Sequence, residues 1–348
     1  MSPSVISLIG ILLGMVILVF LAFKGYNVII VSVIAALVVA VFAGTDILPL
    51  ITDSYMTKFA DFAKNNFMIF LLSAVFGKLM GDSGAADTME LNLNGKVVVV
   101  TGGSSGIGEE TAMEFAREGC QVTIASRSEK KLAEAAGRFE AEGFQVHTQV
   151  VDVSKPEDIS ALGEKVFQQF GRIDVWINNA GGNITKPFLE LTVEDWNFVI
   201  STNMTSVFWG THVAVDYMRR TGGGVILNTS SYMALIPATQ KIAYAATKAG
   251  IVNMTKTTAG ELAPLGIRVN CVVPGLIQTP IAAERIAANR EKLCAQIALQ
   301  RFGVPSDVSR VYTFLASDAA AFITGAAIEV SGGKLCVQDI GAPWGKQI

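Results

Sequence analysis

Four consecutive valines, Val97 to Val100, run without a break into Thr101-Gly102-Gly103-Ser104-Ser105-Gly106-Ile107-Gly108. An uninterrupted β-branched run suits a strand covered on both faces, as in a parallel sheet. The glycines after it permit a tight turn through backbone conformations closed to other residues, and they lead the chain into a helix. A buried strand that turns directly into a helix commits the chain to an α/β architecture. The alternation continues downstream and predicts strands over residues 97–101, 121–126, 145–152, 174–178, 224–229, 268–273 and 327–330. Seven strands with six intervening helices fit one doubly wound sheet, with no internal repeat or low-complexity segment.

The glycine turn also has a chemical meaning. Unpaired N–H groups at a helix start attract negative charge, and glycines let a ligand's diphosphate approach the backbone closely. Gly102, Ser104, Ser105, Gly106, Ile107 and Gly108 are the candidate contacts, although a strand-helix turn can exist without any ligand. Farther along, Tyr244 and Lys248 are four residues apart and so share one helix face. A phenol with an ordinary pKa of about 10 needs help to exchange a proton near neutral pH, and a nearby ammonium favours the phenolate.

Other chemistries are excluded by what is missing. The four cysteines (Cys120, Cys271, Cys294, Cys336) form no close pairs and the two histidines (His147, His212) stand far apart, so neither a metal site nor a disulfide framework is expected. A net charge of −3 without a basic block gives no reason to expect nucleic acid as a partner.

The Gly-x-x-x-Gly-x-Gly spacing, Asn178-Asn179-Ala180-Gly181, Ser231 and Tyr244-Ala245-Ala246-Thr247-Lys248 together resemble the short-chain dehydrogenase/reductase family, over about residues 91–348. The resemblance implies a Rossmann-like fold and hydride transfer between a nicotinamide cofactor and a secondary alcohol or ketone. It implies Tyr244 as general acid/base, Ser231 as substrate donor, Lys248 on the nicotinamide ribose and Asn203 on a water-mediated proton path to Lys248. It places Asp152 and Val153 at the adenine, Asn179, Ala180 and Gly181 along the cofactor, and Pro274, Gly275, Ile277 and Thr279 beside the nicotinamide. Ser331 stands where the family often has Asp. A homotetramer built through the helices carrying Asn203 and Tyr244 is a further implication.

At the tip of the second strand an acidic residue would select NAD, but Ser126 and Arg127 stand there, which favours NADP. Arg127 has an alternative reading as an exposed helix-start residue. The substrate is expected to be a sugar acid, polyol or hydroxy acid, with a 3-oxoacyl thioester as the competing enzyme reading and a non-catalytic membrane interaction protein as the alternative of another class. Residues 281–301 carry Arg285, Arg290, Lys292 and Arg301; one could hold a carboxylate, while a solvated helix face is the default for most. Asn183, Lys186 and Met233 are further pocket candidates.

The first 86 residues belong to another regime, for they contain no Arg, Glu, His, Cys or Trp. Residues 5–23 and 28–43 are apolar runs that read as membrane-spanning helices, and 67–77 is a third, shorter apolar stretch. Residues 1–4 lack the basic start of a signal peptide, so a retained anchor is expected. Phe20-Leu21-Ala22-Phe23-Lys24-Gly25 and Phe70-Leu71-Leu72-Ser73-Ala74-Val75-Phe76-Gly77-Lys78-Leu79-Met80 are similar to the opening of the gluconate permease family, whose many-helix transport path is not completed here. The expected organisation is therefore a membrane segment over 1–86 and an oxidoreductase domain over 87–348. Lys58 and Lys64 weighed against Lys24 place that domain in the cytoplasm if two helices insert. Without the N-terminal segment the enzyme would be cytoplasmic.

Overall fold

The computed structural model describes residues 3–24, 28–44, 91–334, 336–337 and 340, with isolated residues between 57 and 78. The chain divides into two units, Met1–Ala86 and Asp87–Ile348.

In the first unit, α1 (Pro3–Phe23) and α2 (Val28–Ala43) pack against each other. Two glycines one turn apart set the approach: a Cβ on Gly10 would stand 2.4 Å from Phe42 Cβ, and one on Gly14 would stand 2.9 Å from Val39 Cγ2. Small residues at this spacing let helix backbones meet closely. Sequence reading took these runs as spans, but no helix among the described residues is long and apolar enough to cross a membrane. The side chains described in α1 cover residues 6–21, and α2 has 16 residues. The 16 residues of α2 rise about 24 Å, short of a hydrocarbon core of about 30 Å. Most of the third apolar stretch (67–77), most of residues 46–66 and all of residues 81–86 lie outside the described residues.

The second unit is a seven-stranded parallel sheet: β1 (Val97–Thr101), β2 (Gln121–Ser126), β3 (His147–Val150), β4 (Val175–Asn178), β5 (Gly224–Thr229), β6 (Ile267–Pro274) and β7 (Ala327–Val330). Their spatial order is β3-β2-β1-β4-β5-β6-β7. The valine run shows why both faces are covered: Val98 and Val100 enter one core with Phe115 and Tyr312, while Val97 and Val99 enter the other with Leu162 and Trp176. β3 is shorter than expected. It pairs only with β2 and alternates between exposed and half-buried residues, so the flanks of 145–152 have no second neighbour to hold them in the ladder.

Strand order reverses between β1 and β4, both of which pair with each other and then extend in opposite directions. The chain leaves their C-terminal ends toward opposite faces, and a crevice opens there. Buried polar side chains brace its floor. Asn178 on β4 accepts from Trp176 Nε1 (2.8 Å) and donates to Asn228 Oδ1 on β5 (2.9 Å), and Asn228 donates to Thr255 Oγ1 (3.0 Å).

Candidate active site

β1 ends at Thr101, whose hydroxyl ties the two strands that flank the crevice. It donates to the Ile177 carbonyl (3.2 Å) and accepts from the N–H groups of Asn179 (3.1 Å) and Ala180 (3.2 Å). The glycine turn then passes close to this junction. Gly102 has φ +69°, and a Cβ on it would stand 2.8 Å from Ala180 Cα. A Cβ on Gly108 would stand 2.3 Å from both Asn179 Nδ2 and the Gly102 carbonyl oxygen. The helix α3 (Gly106–Arg117) starts here, and its N-cap, Ser105, makes no side-chain capping bond. Its first N–H groups have no intrahelical partner, which is the condition for holding an anion.

A cleft of about 870 Å³ opens over this turn. Gly102, Ser104, Ser105, Gly106, Ile107 and Gly108 line its start, with Ser126 and Arg127 at the tip of β2. Val153 and then Asn179, Ala180 and Gly181 follow, and Pro274, Gly275, Ile277 and Thr279 form the far wall. The backbone cradle and the open helix start suit a dinucleotide. Asp152 is not among the residues lining the cleft; its carboxylate accepts from Ser154 N (3.1 Å) and Ser154 Oγ (2.7 Å). Burial pushes the Asp152 pKa up, but the Ser154 bonds and the Arg127 and Lys155 charges outweigh it and leave a net lowering. Gly275 is required by packing, since a Cβ there would stand 2.7 Å from Ser331 Cα.

The remaining wall is built from β5 and the helix α4 (Ile242–Leu262). Ser230 fastens the two by donating to the Lys248 carbonyl (2.7 Å). Tyr244, Ser231 and Lys248 all line the cleft. Ser231 caps a short helical turn, accepting from Met233 N (3.2 Å), and its hydroxyl bonds the Tyr244 phenol. Lys248, 3% exposed, donates to the Thr229 carbonyl (2.8 Å) and holds its ammonium 5.5 Å from the centroid of the Tyr244 ring.

Electrostatics here differ from the expectation drawn from sequence. Burial raises the Tyr244 pKa, the Ser231 hydrogen bond pulls it down, and the Tyr232 phenol raises it. The Lys248 ammonium is engaged by the Thr229 carbonyl and lies over the Tyr244 ring. Burial lowers its own pKa to about 8, with the Cys271 thiol acting in the opposite sense.

Asn203 does not line the cleft. It lies in a π-helical turn, Ser201–Thr205, fully buried behind the wall. Its amide accepts from Gly182 N (2.7 Å) and donates to the Gly182 carbonyl (2.9 Å) and to Thr247 Oγ1 (3.2 Å). A Cβ on Gly181 would stand 3.3 Å from Asn203 Oδ1 and 3.7 Å from Lys248 Nζ, so the two groups flank one glycine. π-Turns inside helices frequently mark functional positions.

Of the substrate-pocket candidates, Asn183, Met233 and Arg285 line the cleft. Lys186 pairs with Asp195 (2.5 Å), Arg301 pairs with Asp307 (2.7 Å), and Arg290 covers the Phe302 ring at 5.5 Å. Sequence reading missed Lys131, Tyr232 and Lys241. Only Lys241 carried a usable signal, its position one turn before Tyr244.

Residues 96–290 match the family described as short chain dehydrogenase. The chain is 40% identical over 243 residues to the 3-oxoacyl-(acyl-carrier-protein) reductase FabG of Thermotoga maritima, an alignment covering 70% of this chain and 99% of that protein. It is also 40% identical to 3beta-hydroxysteroid dehydrogenase 1 of Eggerthella lenta, over 70% of this chain and 94% of the relative. Among solved structures, the L-sorbose reductase of Gluconobacter frateurii complexed with NADPH and L-sorbose superposes with a TM-score of 0.67 at 34% identity, covering 72% of this chain and all of the other. The chain belongs to the short-chain dehydrogenase/reductase family, oxidoreductases that bind NAD(P) and interconvert alcohol and carbonyl groups.

Proposed function

We propose that the protein transfers a hydride between NADP(H) and a secondary alcohol or ketone, with a sugar acid, polyol or hydroxy acid as substrate. The observation that carries this reading is the convergence of Ser231, Tyr244 and Lys248 on one wall of a cleft that begins at the glycine turn. When bound, the cofactor supplies or accepts the hydride at the substrate carbon. Tyr244 gives its phenolic proton to the carbonyl oxygen in reduction and recovers it in oxidation. The Ser231 hydroxyl donates to the same oxygen and steadies its developing charge. Lys248 supplies positive charge behind the phenol, and Asn203 positions the Gly181–Gly182 segment against it.

NADP preference is supported by Arg127, exposed at the tip of β2 where the cleft's other cation on that side is Lys131. A guanidinium offers charge-assisted donors to a 2′-phosphate, and no acid lines that end to prefer a free hydroxyl. Spectrophotometric turnover of a panel of ketones, hydroxy acids and polyols with NADPH or NADP tests the reading. Binding of cofactor with no turnover on any of them would favour the non-catalytic alternative.

Reduction of a 3-oxoacyl thioester is the second reading, favoured by the 40% identity to the Thermotoga reductase. Activity on acyl-carrier or coenzyme A thioesters above that on free acids would select it.

For the N-terminal unit we propose membrane attachment, with the enzyme on the cytoplasmic side and tetramer formation through the helices bearing Asn203 and Tyr244. The backbone of α1 is helical over 21 residues without a charged side chain. Leu8, Leu12, Met15, Val16 and Phe20 are exposed along one face of it, an apolar stripe suited to an apolar solvent. The likeness to the gluconate permease opening rests on residues 20–25 and 70–80 and supports an acidic substrate by association only. Release of the full chain from carbonate-washed membranes would refute insertion.

A further inference from the structure

The substrate end of the cleft carries an uncompensated set of donors. Lys241 lines it, half-buried, and its ammonium hydrogen-bonds only a neutral group, the Thr185 hydroxyl. Arg285 lines the same cleft and makes no hydrogen bond or ion pair among the described residues. That sets it apart from Arg290 and Arg301, which are occupied by Phe302 and Asp307. Glu284, the one acid on the cleft wall among the described residues, pairs with neither cation. Tyr232, 7% exposed, lines the same cleft, and its hydroxyl is buried without a hydrogen-bond partner among the described residues. A buried polar group left unpaired is costly and calls for an explanation in function.

These cations also act on one another. Burial holds the Lys241 ammonium below its ordinary pKa and the Arg285 charge lowers it further; the same two causes act on Lys334, whose ammonium lies 5.4 Å from the Tyr232 ring centroid. A bound anion would relieve that repulsion and occupy the orphaned phenol.

We infer that the substrate carries a carboxylate, held between Lys241 and Arg285 with the Tyr232 hydroxyl as a third donor. This rests on the oxidoreductase reading. Lys241 is three residues before Tyr244, at the N-cap of the helix that carries it, and both line the same cleft, so the anion and the reacting oxygen share one end of it. A short oxo acid, and its hydroxy acid in the reverse direction, would present both groups to that end. A thioester places no charge at this point.

The test pairs 2-oxo and 3-oxo acids of four to six carbons with their methyl esters and follows NADPH consumption by the full-length protein. In the wild type the acid-to-ester ratio of kcat/KM exceeds about tenfold for at least one pair. Lys241→Met lowers that ratio about tenfold, chiefly through KM, Lys241→Arg retains most of it, and Arg285→Met lowers it severalfold because its charge is more exposed to solvent. A wild-type ratio near one with active turnover of neutral ketones overturns this inference alone, as does a ratio unmoved in both Met variants. Failure to turn over any ketone, charged or neutral, overturns the oxidoreductase reading and the inference with it.

Discussion

The Lys248 ammonium stands 5.5 Å from the centroid of the Tyr244 ring while donating a 2.8 Å hydrogen bond to the Thr229 carbonyl. One side chain therefore holds the end of β5 and presents charge to the catalytic phenol, and it does both from a nearly solvent-free position. The energetic consequence is a charged group retained where burial opposes charge.

That opposition gives a pH signature. The pKa of Lys248 is lowered to about 8 in the folded protein. Its usual value in an unfolded chain is about 10.4. The folded state binds fewer protons between these values, so the destabilising contribution of the buried charge is full below pH 8 and is relieved as pH rises toward about 10.4. Integrated over that window it is on the order of 3 kcal/mol. Chemical denaturation of the cofactor-free protein should show Lys248→Met gaining on the wild type as pH falls from 10 to 7. A stability difference independent of pH would contradict this assignment.

Arg127→Ala should weaken NADPH binding roughly tenfold to a hundredfold, the range expected for losing charged hydrogen bonds worth about 1.5–3 kcal/mol. NADH binding should hardly change. Titration by cofactor fluorescence checks both, and equal losses for the two cofactors would remove Arg127 from the 2′-phosphate site.

Gly108→Ala forces a Cβ to within 2.3 Å of the Gly102 carbonyl oxygen and Asn179 Nδ2. The backbone on one side cannot yield cheaply, so a loss of about 1–3 kcal/mol in stability is expected. Cofactor affinity should fall together with the thermal midpoint. A variant of wild-type stability and affinity would show that the turn is less constrained than its geometry indicates.

The parts legible in sequence were those where one residue type suffices. Val97 to Val100 announced a strand covered on both faces, and Tyr244 with Lys248 announced a shared helix face, because periodicity alone fixes such relations. The short β3 was not legible, since only its edge position limits the ladder. Nor were Arg285, Arg290 and Arg301 separable: the three differ by Phe302 and Asp307, partners brought in by folding. The hydrogen bonds from Ser154 to the Asp152 carboxylate were likewise not legible. The close approach of α1 and α2 at Gly10 and Gly14 depends on which face of each helix meets the other, information absent from either run by itself.

The most direct test of the central claim compares Tyr244→Phe with the wild type in one preparation, measuring turnover of the best ketone and NADPH affinity side by side. General acid/base groups contribute about 10²–10⁴-fold. The account predicts a fall in kcat of at least about a hundredfold with NADPH affinity within about twofold of wild type. A Phe variant that keeps a substantial part of the wild-type kcat would contradict it.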